Sequence, residues 1–283
     1  VGVVVVGMGG SGASAAMMAA DTQSALGEEV SVLALEKAGK FGGTSCNTSV
    51  MLAFDSHITE ELYNNGERYF DSALCDAELR AAAELTEFQE MGWKKILEES
   101  GNTLDWLISH GFYFGEPKPG LAGTLPNSFE YNGSGGEKSL AVAYSYFENM
   151  VEDYTELGGE YLLETEGVGL LYDEATNTVT GVRAINHVTG VEYEIHADAV
   201  VLATGGFGAN DAMEEELYEG SQTGAYRHDI SMMQNDGKMM QAALDIGAAT
   251  AGFEDCLTGV IWNIGVPNRL TTYDIIWEEG TYD

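Results

Sequence analysis

Basic residues are scarce in this chain. Its 283 residues hold 12 Lys+Arg against 46 Asp+Glu, a formal charge of −34. A field of that sign repels phosphate backbones and anionic lipid, which argues against a nucleic-acid partner. A solubilising, salt-adapted surface accounts for it, and an anionic ligand would need local backbone donors to overcome it. Cysteine is scarce too: Cys46, Cys75 and Cys256 lie far apart, with no CxxC and no Cys/His cluster, so no metal site is expected. The spacing leaves a disulfide, and with it the compartment, open. Only four prolines occur, three of them within residues 117–126. No Lys or Arg precedes Lys37, which removes the basic start of a secretory signal. The chain opens at Val1 without an initiator Met and closes on "EEGTYD", and reads as a processed chain or a fragment.

Hydrophobic residues make up 45% of the chain, enough for one large domain or two ordinary ones. The opening "VVVVGMGGSGASAAMMAA", residues 3–20, is apolar enough to suggest a membrane span. Such a span needs about 20 mostly apolar residues, and five glycines within residues 2–12 weaken it. A third parse fits better. "VGVVVV" is a β-branched run suited to a parallel strand buried on both faces. Gly7-Met8-Gly9-Gly10-Ser11-Gly12 is G-x-G-x-x-G, and a helix of small residues follows. In that motif the first glycine permits the tight turn, the second lets pyrophosphate approach the backbone, and the third lets helix and strand pack closely. The helix N-terminus offers anion-binding amides.

The glycine motif alone is weak, but its context supports it. "VSVLALEK", residues 30–37, reads as the second strand and ends in Glu36, 29 residues after Gly7. A βαβ dinucleotide unit places its ribose-binding acid there; a solvated strand end would be the plain alternative. Gly42-Gly43-Thr44-Ser45 offers amides and hydroxyls to a phosphate or ring edge, or is an ordinary turn. Residues 58–115 show helical spacing, broken at Gly101 and Gly111, with Trp93 and Trp106 in the core and His110 at a helix C-terminus. A proline- and glycine-containing loop spans 115–139, and a helix covers about 140–157. "YLLETEGVGLLYD" and "VTGVRAINHVTGVEYEIHA" alternate as antiparallel strands, with His187 and His196 on exposed faces. "DAVVLATGGFGAN", residues 198–210, reads as another central strand that runs into Thr204-Gly205-Gly206 and reaches a ligand there. Residues 235–255 form a helix that Asp236 can cap and Gly247 closes.

Together these pieces resemble the flavoprotein family of fumarate reductases, succinate dehydrogenases, urocanate reductases and 3-ketosteroid Δ1-dehydrogenases. "VVVVGMGGSG", "VLALEK" with "FGGTS", "TLDWLISHGFYF", "VTGVRA", "VVLATGGFGAN" and "NDGKMMQAALDIGA" carry the resemblance, in the family's order, over residues 3–248. It implies an α/β fold: a Rossmann-like FAD-binding domain over 1–237 with a helical insert at about 56–157 and a β segment, then the start of a capping domain over 238–283. It implies FAD, held by Gly7, Gly9, Gly10, Ser11 and Gly12 at the pyrophosphate and by Glu36 at the adenosine ribose, with Lys37 also among the cofactor-binding residues. Gly42, Gly43, Thr44 and Ser45 would wrap the phosphates and approach the flavin. Val168 would meet the adenine through its backbone, Ala203, Thr204 and Gly205 would close over the cofactor, and Asp236 would contact it. "GGTSCNTS" lacks the histidine used for covalent attachment, so the FAD should be noncovalent.

The resemblance also implies the chemistry: hydride transfer at flavin N5 to or from a C=C or CH–CH bond beside an electron-withdrawing group, with an unsaturated organic acid as the default substrate. A ketosteroid-type dehydrogenase and a truncated, non-catalytic FAD-binding homologue are the alternatives. Several departures matter. Ser49-Val50-Met51 replaces a glycine-rich stretch, and "FEDCLTGVIW" lacks the family's carboxylate-binding histidine. No motif identifies Arg269 with the family's proton donor. The catalytic residues and the electron-donor partner stay unidentified, and residues 1–283 alone are expected not to turn over.

Overall fold

A computed structural model of the chain describes residues 1–46, 50–68, 72–73, 76–77, 80, 85–119, 126–130, 140–217 and 234–250. The frame is a parallel four-stranded sheet in the order β10-β1-β2-β6, formed by β1 (Val3–Val6), β2 (Val32–Leu35), β6 (Glu160–Leu162) and β10 (Ala199–Leu202). Side chains alternate across a strand, and here both sides are covered. Val5, Val32 and Ala34 join one buried cluster, and Val4, Val6 and Leu35 join another. An apolar run with no polar alternation is the sequence of a strand with two buried faces.

On the first face lies α1 (Gly10–Ala25), the crossover from β1 to β2. It buries Ala13, Ala16, Met17 and Ala20, one stripe at helical spacing. Small residues along that stripe let α4 (Leu140–Glu156) pack close beside it. The phenol oxygen of Tyr154, on α4, lies 2.7 Å from the carbonyl oxygens of both Val32 and Glu160, which share its one proton, and so fastens the helix across β2 and β6. The second face is covered by an antiparallel β-meander of β7 (Thr165–Asp173), β8 (Thr178–Asn186) and β9 (Glu192–His196). Val182, Ala184 and Ile195 from the meander meet Val4, Val6 and Leu35.

Between β2 and β6 the chain makes a long excursion. It contains a short 3-10 turn (Gly43–Cys46), β3 (Val50–Leu52), α2 (His57–Asn64), α3 (Glu87–Ser109), β4 (Lys118–Pro119) and β5 (Pro126–Glu130) before α4. Strands β3, β5 and β4 form a small antiparallel sheet. Ser56 caps α2, and Thr86 with Gln89 forms a capping box on α3. After β10 come α5 (Asp211–Leu217) and α6 (Lys238–Asp245). Among the described residues, no helix is long and apolar enough to cross a membrane.

Several expectations change here. Gly101 does not break a helix but sits inside α3, where a Cβ would come within 2.2 Å of the Phe54 carbonyl oxygen and 2.5 Å of that of Asp55. The glycine permits a close backbone approach. Gly111 does end the helical stretch, with φ +83. "YLLETEGVGLLYD" is not one antiparallel strand. Its start is β6, paired in parallel with β2, and the chain turns at Glu164 (φ 53) before β7. Strand β10 pairs with β1 alone among the described strands, so it lies at the sheet's described edge rather than its centre. His187 follows β8 in a turn rather than lying on a strand face. Trp93 and Trp106 are half-buried, and His110 stands at the α3 C-terminus, its ring edge-on to Trp106 and its Nδ1 2.9 Å from Asp153. Residues 47–49, 120–125, 131–139 and 251–283, with Cys75, Cys256 and Arg269, lie outside the described residues.

Candidate functional site

A cleft of about 490 Å³ opens at the carboxyl ends of β1, β2 and β10, the position at which open α/β sheets bind ligands. The volume falls within the roughly 300–1,000 Å³ usual for cofactor pockets. Its floor is the turn from β1 into α1. Gly7 takes φ +95, and a Cβ there would strike the Ala203 carbonyl oxygen at 2.5 Å. Gly12 packs harder still, since its Cβ would lie 1.7 Å from the Gly7 oxygen. Gly12 therefore serves the helix–strand contact and does not line the cleft.

Gly9 differs. Its backbone is extended (φ −75, ψ −167), and a Cβ would meet nothing nearer than 3.9 Å. Protein packing gives no reason for glycine at this position, and it lines the cleft. Beside it, the amides of Ser11 and Gly12 have no protein acceptor among the described residues, as expected for the first turn of a helix. A residue without a side chain, facing open space next to unpaired helix N-terminal amides, fits a pyrophosphate.

Glu36 directly follows β2 and is buried, not solvated. Its Oε2 accepts from the Met8 amide and its Oε1 from the Ala38 amide, both at 2.8 Å. The carboxylate thus fixes the glycine turn from below. An ionised carboxylate offers about four acceptor positions, so capacity for two ribose hydroxyls remains. Next to it, Lys37 donates to Asp236 at 2.9 Å and reaches Glu166 at 3.4 Å.

The Gly43–Cys46 turn forms one wall. Gly42 forms a bridge with Gly9 and donates its amide to the Met8 carbonyl at 2.8 Å. It is buried against Cys46 and Phe147 rather than in the cleft. Gly43, Thr44 and Ser45 do line the cleft. The Ser45 hydroxyl accepts from the Gly10 amide at 3.2 Å, and Thr44 Oγ1 accepts from Asn235 at 3.3 Å. Burial, with the charge of Glu148, pushes the Cys46 thiol up to about 12, so it stays protonated.

Ala203, Thr204 and Gly205 line the opposite wall. Asp236 also lines it, but it is not the cap residue of α6. Gly237 holds that position, and Asp236 accepts from the Lys238 amide at 3.1 Å. Helix α6 is shorter than expected and closes at Gly247, φ +91. Burial alone would raise the Asp236 pKa. The hydrogen bonds from Lys37 and the Lys238 amide, with both ammonium charges, outweigh it and hold the carboxyl below its ordinary value. Val168 does not line the cleft. It is the extra residue of a bulge in β7 and faces an adjoining hollow of about 400 Å³ with Asn210 and Lys238. Its neighbour Gly167 lines the main cleft.

Sequence reasoning missed Glu166, Lys238 and Asn235. A usable signal existed for one of them. In a chain with so few cations, Lys37 follows Glu36 directly and Lys238 stands two residues after Asp236. Among the described residues, no group of three or more His, Cys, Asp or Glu could hold a metal ion.

The chain is 28% identical over 217 residues to the vinyl phenol reductase of Lactiplantibacillus plantarum, covering 76% of this chain and 40% of that protein. It is 27% identical over 214 residues to the NADH:fumarate oxidoreductase of Klebsiella pneumoniae, covering 75% and 21%. The chain thus spans well under half of these relatives. The 3-ketosteroid-Δ4-(5α)-dehydrogenase of Rhodococcus jostii, solved with 4-androstene-3,17-dione, superposes with a TM-score of 0.70 at 23% identity, over 89% of this chain and 55% of that one, and so has the same fold. The FAD binding domain model matches residues 2–260, and the chain belongs to that family of FAD-binding flavoproteins.

Proposed function

We propose that this chain is the FAD-holding part of an oxidoreductase that reduces a C=C bond, or oxidises CH–CH, beside an electron-withdrawing group. One observation carries the reading. A Cβ at Gly7, Gly10 or Gly12 would strike the protein itself, whereas one at Gly9 would enter open space in the cleft, beside helix amides that have no acceptor among the described residues. FAD, when bound, supplies hydride transfer between flavin N5 and a substrate carbon. The chain's part is to bind and orient it. The first turn of α1 would hold the pyrophosphate, Glu36 the ribose hydroxyls, and Gly43, Thr44 and Ser45 the side toward the flavin. Ala203 to Gly205 and Asp236 would close the opposite wall, with Gly167 at the adenine.

Attachment would be noncovalent. The names of the relatives support an unsaturated small molecule as substrate. Helix α6 packs on β7, with Met239 buried beside Val4 and Val6. We therefore place the start of the capping domain after Ala248 rather than at residue 238.

The test begins with the purified chain. Flavin absorbance should appear, and acid precipitation should leave FAD in the supernatant. The bound flavin is then reduced anaerobically and mixed with a vinyl phenol, fumarate, urocanate or a 3-ketosteroid. In the full-length protein, one unsaturated acid or phenol should restore oxidised-flavin absorbance faster than the steroid does. Failure to bind FAD, or re-oxidation by the steroid alone, would overturn the proposal.

A further inference from the structure

We infer that Glu166, which no sequence motif marks, is a positioning residue of the cofactor site: it holds Lys238 and shares Lys37 with Asp236, and so keeps acceptor positions of Asp236 open to the ligand. The inference rests on the FAD reading above.

Glu166 lies on β7 with its side chain 9% exposed. A buried carboxylate is costly unless it is matched, and this one is matched three times. Oε1 accepts from Lys238 Nζ at 2.6 Å and lies 3.4 Å from Lys37 Nζ, while Oε2 lies 3.0 Å from His187 Nε2. Its partners come from the end of β2, the turn after β8 and the start of α6, three separately folded segments. Lys37 is also 2.9 Å from Asp236. Two ammonium groups and two carboxylates therefore balance along one wall of the cleft, with His187 at the far end.

The balance depends on Glu166. Among the described contacts, Asp236 is the other carboxylate that Lys37 reaches, and Lys238 already binds it through its amide. If Glu166 lost its charge, both flexible ammonium groups would turn to Asp236. Its acceptor positions would fill, and the carboxylate left in the cleft for the second ammonium group to compete for would be Glu36, the acid proposed for ribose. Glu166 itself lines the cleft, but both its oxygens are engaged by Lys238 and His187, so it acts on the ligand through the groups it holds.

This predicts a specific pattern in titrations of the chain with FAD, and with ADP as a probe lacking the flavin ring. Glu166→Gln should weaken both ligands by a similar factor, about 10- to 100-fold, the range of a lost charge-assisted hydrogen bond. Glu166→Asp keeps the charge and should stay within about threefold of the parent, since two like partners remain to be gathered. The decisive variant is the double substitution Glu166→Gln with Lys238→Met. It removes one anion and one cation, restores the balance, and should recover most of the lost affinity. A merely structural role for Glu166 would not be rescued by a second truncation. If Glu166→Gln does not fold, the charge-balanced double variant is still expected to bind FAD, and weak binding by it overturns the inference. So does parent-like affinity in Glu166→Gln, or no recovery in the double variant. If the parent chain binds neither FAD nor ADP, the cofactor reading itself fails. If it binds both and Glu166→Gln changes nothing, only the role of Glu166 fails.

Discussion

At the scale of single residues, the glycine motif divides into positions that serve the fold and one that serves the ligand. Gly12→Ala would drive a Cβ to 1.7 Å from the Gly7 carbonyl oxygen, and neither backbone can yield without moving β1 or α1. Overpacking of this kind costs roughly 1–3 kcal/mol or more, at about 2–4 °C of melting temperature per kcal/mol for a domain of this size. Gly9→Ala meets no protein atom within 3.9 Å and needs no unusual backbone angle. We predict that Gly9→Ala melts within a degree or two of the parent yet loses FAD affinity by about 100-fold, because the methyl group takes the ligand's place. Gly12→Ala should melt several degrees lower. Thermal unfolding of both variants without added flavin, beside FAD titrations, checks the pair. A Gly9→Ala protein that keeps its FAD would make that glycine purely structural. Glu36 shows the opposite mixture. One carboxylate holds two backbone amides and is also the proposed ribose ligand, so its truncation would disturb fold and site together.

At the scale of elements, α3 offers an internal comparison. Gly92 and Gly101 lie on the same helix, and each costs about 1 kcal/mol of helix propensity relative to alanine. At Gly92 a Cβ would meet nothing within 4 Å, whereas at Gly101 it would meet two backbone carbonyls of the Phe54–Asp55 segment. Gly92→Ala should therefore stabilise the protein by up to about 1 kcal/mol. Gly101→Ala should destabilise it by about 1–2 kcal/mol, the overpacking cost exceeding the propensity gain. Denaturant midpoints with unchanged slopes would check both signs. The same helix shows where sequence reading stops. Glycine inside a helical pattern looks like a break, and only the neighbouring chain reveals it as a contact. Strand β6 was hidden for a related reason: its residues continue into β7 without Gly, Pro or Asn, and the turn falls on Glu164, a residue with no turn signature. By contrast, β1, α1, β2 and β10 were legible because their apolar runs and the glycines that bound them are local properties. Most of the cleft lining came with them, for it is built from strand ends. The Glu166–Lys238–His187 contacts were not legible, since they join segments that meet only after the meander folds onto the sheet.

At the scale of the whole molecule, the formal charge of −34 sets the conditions under which an anionic cofactor arrives. The pyrophosphate of FAD approaches a protein of the same sign, so long-range forces oppose encounter. The local charges offer no long-range compensation, because the two ammonium groups at the cleft wall are matched by Glu166 and Asp236. The donors proposed for the pyrophosphate are backbone amides, whose partial charges act over the first turn of a helix and not beyond. Screening should then favour binding. The Debye length falls from about 30 Å at 0.01 M salt to about 10 Å at 0.1 M, so most of the repulsion outside the cleft is removed across that range while contacts inside it change little. We predict that the FAD association rate rises with sodium chloride between these concentrations, the reverse of the usual behaviour of a steered anion, and that the dissociation rate changes less. Riboflavin, which carries no phosphate, should show no such rise. Stopped-flow flavin fluorescence with FAD and riboflavin side by side measures both. An FAD rate that falls as salt is added would mean that Lys37 and Lys238 act as an attracting patch, and that the charge balance at the cleft wall does not hold in solution.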